Sequence, residues 1–233
     1  GDHRDLHSFP TRRSSDLLSV IAITGDGKDA DTGAKFLKNG ANDFIVKPFS
    51  KEELVCRVNN SIEFMENIKF MAKLANTDFL SGAYSRRYFY MDMKEYYKNC
   101  SDQSFAVAMF DIDDFKKIND KFGHDIGDII IQKLSSFLIG WISEGDLVAR
   151  FGGEEFCVVL KNINFDDAVK KAVSIRAKIA SSLINIKGFD IKFTVSIGVT
   201  NGDFSKNIDH IISKADEALY NAKIAGKNRV EIL

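Results

Sequence analysis

Residues 147–160 read LVARFGGEEFCVVL: two short apolar runs separated by Gly152, Gly153, Glu154 and Glu155. Apolar runs of this length, bounded by turn residues, are typical of strands, so the stretch predicts a β-hairpin. Because glycine lacks a Cβ atom, the pair allows a tight turn, a positive φ or a close approach to a phosphate. The same residues are also typical of a solvated turn, so the role of the hairpin depends on its surroundings.

An acidic strand end precedes the hairpin. Residues 105–112 read FAVAMFDI and predict a buried strand, which ends in the acidic run that leads to Lys116. Carboxylates from a strand end and from a nearby hairpin can surround a hard divalent cation such as Mg²⁺, which prefers oxygen ligands. With Lys116 available to meet phosphate charge, the two segments together predict a site for a nucleoside triphosphate.

Helices and strands alternate around this hairpin. The pattern predicts helices over 116–123, 125–142, 165–183 and 208–226, and strands over 190–200 and 229–233. This order, with a hairpin in the middle, predicts an α+β sandwich of ferredoxin-like or palm type.

Five motifs in this region carry a family resemblance. They are DFLSGAYSRR (78–87), DIDDFKKINDKFGHDIGD (111–128), RFGGEEF (150–156), SIGV (196–199) and AKIAGKNR (222–229). Together they resemble the GGDEF domain, a palm fold similar to that of adenylyl cyclases. The resemblance covers residues 78–233 and implies a diguanylate cyclase, which joins two GTP into cyclic di-GMP. Since each domain would hold one GTP, it also implies a homodimer with facing sites.

The resemblance implies a metal site and a catalytic set. Asp111, Glu154 and the main-chain carbonyl of Ile112 are the implied ligands of Mg²⁺, for which Mn²⁺ can substitute. Glu155 lies beside them and, with Asp111 and Glu154, completes the implied catalytic set. The implied chemistry is the attack of a 3′-hydroxyl on an α-phosphate, performed twice with loss of pyrophosphate.

The resemblance also implies the substrate contacts. Asn119 and Asp128 would hydrogen-bond the guanine edge and so select GTP over ATP. The other implied substrate-binding residues are Asp114, Phe115, Lys116, Gly152, Gly153, Lys223 and Lys227. Lys227 stands where many relatives have Arg, which keeps the charge but loses the planar fork.

Two other functions stay open. The chain could be a catalytically silent module that binds GTP or cyclic di-GMP, or a signalling fragment that acts only by dimerising. The presence of the implied ligands and base contacts favours the enzyme. Many relatives also carry an Arg-x-x-Asp product site before the glycine pair. Here Ser143 replaces the Arg while Asp146 is kept, so we expect weak or absent product inhibition.

The N-terminal part follows a different pattern. Residues 1–17 have no helical or strand period and predict a disordered or non-native tail, whereas 18–62 predict a strand, a helix and a second strand. Thr24, Lys47 and Pro48 resemble the C-terminal part of a response-regulator receiver domain, an α/β fold. Because a receiver keeps its phosphoacceptor in its first three strands, which are missing here, we expect no phosphorylation.

A long helix is predicted over 50–76, and residues 63–77 would form the linker between the two regions. It begins with Ser50 and Glu53, a capping-box pair, and carries an apolar stripe from Val55 to Ala75 in steps of three and four. The stripe either packs on its own domain or pairs two chains. The need for two facing sites favours pairing.

Composition limits the partners and the compartment. Lys plus Arg number 32 against 33 Asp plus Glu among 233 residues, so no broad basic field indicates nucleic acid. No apolar run is long enough for a membrane span. The three cysteines have no disulfide or metal spacing, and we expect a cytoplasmic protein.

Overall fold

The computed structural model describes residues 19–25, 30–100 and 104–233, and these form two compact units divided between Ala75 and Asn76. The tail predicted over 1–17 lies outside the described residues. Within the described ranges, no helix has both the length and the hydropathy needed to cross a membrane.

The N-terminal unit contains the predicted strand, helix and strand. Its elements are β1 (Ile21–Thr24), α1 (Ala30–Lys38), β2 (Asp43–Val46) and most of α2 (Lys51–Asn76). Strands β1 and β2 pair in parallel, with Thr24 opposite Val46. Helix α2 is continuous, so residues predicted to end the receiver fragment and to form the linker belong to one element. The Ser50 hydroxyl accepts from the Glu53 N–H at 3.0 Å, as a capping box predicts.

The apolar stripe of α2 is only partly covered by its own unit. Val58, Ile62 and Met65 line a groove of about 510 Å³ that also includes Ser19 and Ile21. Along the same helix, however, Ile62 is 52% and Met71 65% exposed. The stripe therefore has more apolar surface than the described residues of its own unit bury.

The C-terminal unit is the α+β domain that the sequence predicts. Its elements are β3 (Tyr84–Ser85), α3 (Arg86–Asn99), β4 (Phe105–Ile112), α4 (Phe115–Phe122), α5 (His124–Ile139), β5 (Leu147–Gly152), β6 (Glu155–Lys161), α6 (Phe165–Ser181), β7 (Ile184–Ile186), β8 (Phe189–Ile191), β9 (Val195–Asn201), α7 (Ile208–Ile224) and β10 (Val230–Ile232). Six strands form one sheet in the order β10-β9-β4-β6-β5-β3. Strand β4 lies between β6 and β9 and is antiparallel to both.

Each face of this sheet is covered by helices. Alternate residues of β4 enter two cores, with Phe110 packed with α5 and α6 on one face and Met109 with α3 and α7 on the other. Cys157 is fully buried in the second core, as its strand position predicts. Helix α7 lies so close to β9 that a Cβ atom on Gly198 would overlap the main chain at Ala215 and Leu219. The end of β4 is thereby brought beside the last turns of α7.

Some details of the predicted elements differ from the structure. The single strand predicted over 190–200 is wrong, because β8 pairs with β7 while β9 pairs with β4. Helix α5 ends at Ile139, before the predicted end at 142. Helix α3 was not predicted, although Ser85 caps it by accepting from the Tyr88 N–H at 3.2 Å.

Candidate active site

Asp111 lies at the end of β4 between two partner strands. It is opposite Glu155 of β6 and Ser196 of β9 in the strand register. The alternation along β4 directs its side chain to the face covered by α7, where the Lys223 ammonium lies 2.7 Å from Asp111 Oδ2. Only 6% of Asp111 is exposed. The strand pairing thus places a buried carboxylate, a cation and the first residue after the hairpin turn together.

The pKa of Asp111 reflects these neighbours. Burial, with a smaller contribution from repulsion by Glu154 and Glu155, raises the pKa of Asp111 to about 6 against the lowering effect of Lys223. Three carboxylates therefore share one region with the Lys223 ammonium of α7. Such a region attracts a further cation at neutral pH, where Asp111 is mostly ionised.

Oxygen donors here suit a hard cation. Asp111, Glu154, Glu155 and the carbonyl of Ile112 are all oxygen ligands, which Mg²⁺ and Mn²⁺ accept. The described part of the chain nevertheless contains no group of three or more His, Cys, Asp or Glu side chains already arranged around one metal position. The predicted two-carboxylate set is consistent with a cation whose shell is completed by substrate phosphates. Its metal role stays a prediction.

Arg150 donates hydrogen bonds to the hairpin turn. Its Nε and Nη2 donate to the Gly153 carbonyl at 3.0 and 2.7 Å, and its Nη1 donates to Asp78 Oδ1 at 2.9 Å. Asp78 Oδ1 also accepts from the Ser81 N–H and hydroxyl at 2.8 and 2.7 Å. Although burial opposes it, these donors lower the pKa of Asp78. The turn is thus connected to the segment that follows α2.

The hairpin glycines are not required by the local backbone. Neither Gly152 nor Gly153 has a positive φ, so the turn does not use the positive-φ conformations that glycine allows. A Cβ on Gly153 would meet no described atom within 4 Å, and one on Gly152 would lie 3.5 Å from Glu155 Oε2. The close approach of a phosphate to Gly152 and Gly153 stays a prediction.

The predicted phosphate-binding residues surround the start of α4. Asp114 has a left-handed backbone with a φ of 55°, and its Oδ1 lies 2.8 Å from the Lys227 ammonium and 2.9 Å from that of Lys117. These two cations lower the pKa of Asp114. Phe115 packs against the core, whereas Lys116 is exposed. The first N–H groups of a helix have no intrahelical acceptor, so this turn offers main-chain donors beside three lysines.

Asp113 is a site residue that the sequence analysis missed. It is buried and accepts from the Ser196 and Thr194 hydroxyls at 2.6 Å each and from the Asn228 N–H at 2.9 Å. It therefore ties the loop that carries Lys227 to the end of β4. The sequence signal for this role was the additional acid at position 113 within the run 111–114. Its partner Ser196 begins the SIGV motif, which lies on a distant strand.

The two predicted base contacts lie on adjoining helices. Asn119 is on α4, and its buried Oδ1 has no hydrogen-bond partner among the described residues. Asp128 is on α5 and is exposed. Gly127, the residue before Asp128, lies directly against the Asn119 amide. The helix pair therefore brings an amide and a carboxylate to the same region.

Residues 75–229 match the family described as "Diguanylate cyclase, GGDEF domain". The chain belongs to the GGDEF family. This settles the resemblance that the five motifs carry, and solved GGDEF domains have the same mixed α+β fold. The isolated GGDEF domain of DgcB from Caulobacter crescentus, solved in complex with c-di-GMP, superposes with a TM-score of 0.63 at 28% identity, covering 68% of this chain and 95% of that chain.

Relatives of this GGDEF chain include named diguanylate cyclases. It is 34% identical over 226 residues to "Response regulator PleD" of Caulobacter vibrioides, covering 91% of this chain and 49% of that protein. It is 33% identical over 187 residues to "Diguanylate cyclase DgcM" of Escherichia coli, covering 79% and 45%. The chain thus spans about half the length of these curated relatives. At the family level, these names support cyclic di-GMP synthesis.

Asp146 has a structural role at the turn before β5. Asp146, the retained part of the product-site motif, accepts from the Ser143 N–H at 2.9 Å and from the Lys161 N–H at 2.8 Å. It therefore stabilises the turn between α5 and β5 and the far end of β6.

Proposed function

We propose that this chain is a diguanylate cyclase that joins two GTP molecules into cyclic di-GMP with release of two pyrophosphates. The observation that carries the proposal is the buried Asp111 beside Glu154, Glu155 and Lys223, within a domain of the GGDEF family. Carboxylates that share a cleft with a cation and free helix N–H groups are suited to phosphoryl chemistry, in which positioning and charge dominate.

Each proposed role follows from the surroundings of the residue. Asp111, Glu154 and the Ile112 carbonyl would hold Mg²⁺ or Mn²⁺, with Glu155 beside them. When bound, the metal would make the 3′-hydroxyl more acidic and neutralise charge on the phosphates. Lys223 keeps Asp111 ionised near neutral pH, which favours its use as an oxygen ligand.

The substrate would lie across the start of α4. The main chain at Asp114 and Phe115, together with Lys116, would contact the β- and γ-phosphates. Lys223 and Lys227 now pair with site carboxylates at 2.7 and 2.8 Å and would turn to the phosphates as the substrate arrives. Gly152 and Gly153, which present no side chain, would let the phosphates approach the hairpin. Asn119 and Asp128 would bind guanine.

Two copies are required because each domain would bind one GTP. We propose that the apolar stripe of α2 pairs two chains, since Ile62 and Met71 are more than half exposed. Replacing both by Asp should lower the apparent mass in solution to that of a monomer. An unchanged mass would place the pairing surface elsewhere.

We propose that residues 18–62 are the C-terminal fragment of a receiver domain, that 63–77 form the stalk and that 78–233 form the cyclase domain. The parallel pair β1 and β2, with Thr24 and Lys47 at the strand ends, supports this. A cytoplasmic location suits a GTP-dependent enzyme with free cysteines at 56, 100 and 157.

The test is incubation of the purified chain with GTP and Mg²⁺, followed by chromatography for cyclic di-GMP. ATP serves as the substrate control and Glu154→Ala as the protein control. We expect product only from the parent chain with GTP, at a rate that rises faster than linearly with protein concentration. GTP binding without product would instead support the catalytically silent module, and dimerisation without nucleotide binding would support the signalling fragment.

A further inference from the structure

Gly127 of α5 lies directly under the side chain of Asn119. A methyl group built on Gly127 would overlap Asn119 Oδ1, and would lie 3.0 Å from Asn119 Cγ and 3.2 Å from Phe115 Cζ. The two helices therefore approach so closely here that the Asn119 amide occupies the space of a side chain at position 127. Glycine is a poor residue for a helix interior, because it costs more conformational entropy than alanine. Some other requirement must favour it at this position.

The atoms that a Cβ on Gly127 would overlap belong to a side chain that can move. A Cβ atom at Gly198 would strike main-chain atoms, which cannot yield without moving a helix. At Gly127, by contrast, the overlapping atoms belong to the end of a side chain with two rotatable bonds. A side chain at 127 would therefore displace the Asn119 amide and leave the helix pair in place.

The displaced group is one whose position matters for a ligand. Asn119 Oδ1 is buried and has no hydrogen-bond partner among the described residues. In this position Oδ1 faces Gly127, so the amide would meet a ligand through its Nδ2 amino group, which donates. Guanine offers the O6 acceptor beside its N1 donor. Adenine carries an amino donor in place of O6.

We propose that Gly127 is a specificity-determining positioning residue: by having no side chain, it sets the Asn119 amide where it can read a guanine base. The inference rests on the proposed function, since it assumes that Asn119 contacts the base. It adds that the selection of guanine depends on the spacing between α4 and α5 as well as on the contacting residues.

The test is a double-mutant cycle of the parent chain, Gly127→Ala, Asn119→Ala and the double variant. Binding of the α,β-methylene analogues of GTP and ATP, which cannot release pyrophosphate, is measured by calorimetry with Mg²⁺. We expect Gly127→Ala to weaken guanosine-analogue binding about tenfold, the scale of one hydrogen bond. The affinity of Gly127→Ala for the adenosine analogue should stay within about twofold of that of the parent. In the Asn119→Ala background, adding Gly127→Ala should change the affinity for the guanosine analogue by less than about twofold.

Three outcomes would each overturn the proposal. Gly127→Ala could weaken analogue binding equally in both backgrounds, weaken the binding of both analogues equally, or leave binding in the parent background unchanged. A parent chain that bound neither analogue would defeat the proposed function instead. The thermal unfolding midpoints of the same four proteins would then test whether Gly127 positions the Asn119 amide. In the Asn119→Ala background, Gly127→Ala should raise the midpoint by about 1 to 4 °C, because alanine favours the helix. An equal rise in the parent would show that the two side chains do not compete.

Discussion

Replacing Lys223 by Met removes the ammonium that neutralises Asp111 while keeping a side chain of similar length. The ion pair is short at 2.7 Å, and the Asp111 side chain is only 9% exposed. Solvent therefore screens this pair far less than a surface pair. We expect the variant to make the ionised form of Asp111 markedly less stable in the folded domain.

The size of the effect follows from the pKa of Asp111. Burial and its neighbours hold that pKa at about 6, above the ordinary value, which corresponds to about 3 kcal/mol of folding free energy. Because the pKa of Asp111 is raised in the folded state, the protonated carboxyl favours folding below about pH 4. This contribution to the free energy of unfolding is lost as the pH rises through about 6. Loss of an adjacent cation moves the titration upward by about 1 to 3 pH units. Lys223→Met should thus cost about 1 to 4 kcal/mol more stability at pH 9 than at pH 5.

Urea unfolding, followed by the fluorescence of Trp141, measures this difference in the metal-free protein. Trp141 is the single tryptophan and packs edge to face on Phe110, with ring centroids 5.9 Å apart, so it reports the C-terminal unit. Lys227→Met is the matched control, because its partner Asp114 is exposed, and it should differ by less than about 0.5 kcal/mol between the two pH values. An equal loss of stability at pH 5 and pH 9 in Lys223→Met would refute the electrostatic account of Asp111.

Three further predictions concern stability and the hairpin. Gly198→Ala should cost at least about 3 kcal/mol or prevent folding, since its Cβ would overlap the main chain of α7, and soluble yield with urea unfolding measures this. Asp113→Ala should cost about 2 to 4 kcal/mol in the same assay, because three donors to a buried carboxylate lose their acceptor; a loss below about 1 kcal/mol would contradict that role. Arg150→Met should lower product formation, because the hydrogen bonds that connect the Gly153 carbonyl to Asp78 are lost; unchanged turnover would show that this connection is not needed.

Local patterns in the sequence predicted the elements that depend on neighbouring residues. The hairpin, β4 and the helices α6 and α7 were predicted because apolar period and turn residues lie close together in the chain. The strand over 190–200 was wrong because alternation continues through β8 and β9 while the partner strand changes. A period of two cannot show which strand lies alongside.

The candidate site was predictable in its members but not in its pairings. Motifs indicated Asp111 and Lys223, yet only the packing of α7 on β9 brings the two within 2.7 Å. The role of Asp113 depends on hydroxyls more than 80 residues away, so no local pattern could reveal it. Likewise, the overlap between Gly127 and Asn119 depends on the distance between two helices, which sequence spacing does not give.

The proposed function of this chain is the conversion of GTP into cyclic di-GMP at the site around Asp111. The most direct measurement is chromatography of the products after incubation with GTP and Mg²⁺, over a range of protein concentrations, beside Asp111→Asn. We expect cyclic di-GMP and two equivalents of pyrophosphate from the parent chain, and a loss of at least about 100-fold in the variant. Equal product formation by the parent and Asp111→Asn would contradict the proposed site, and GTP bound but never converted by the parent would contradict the cyclase.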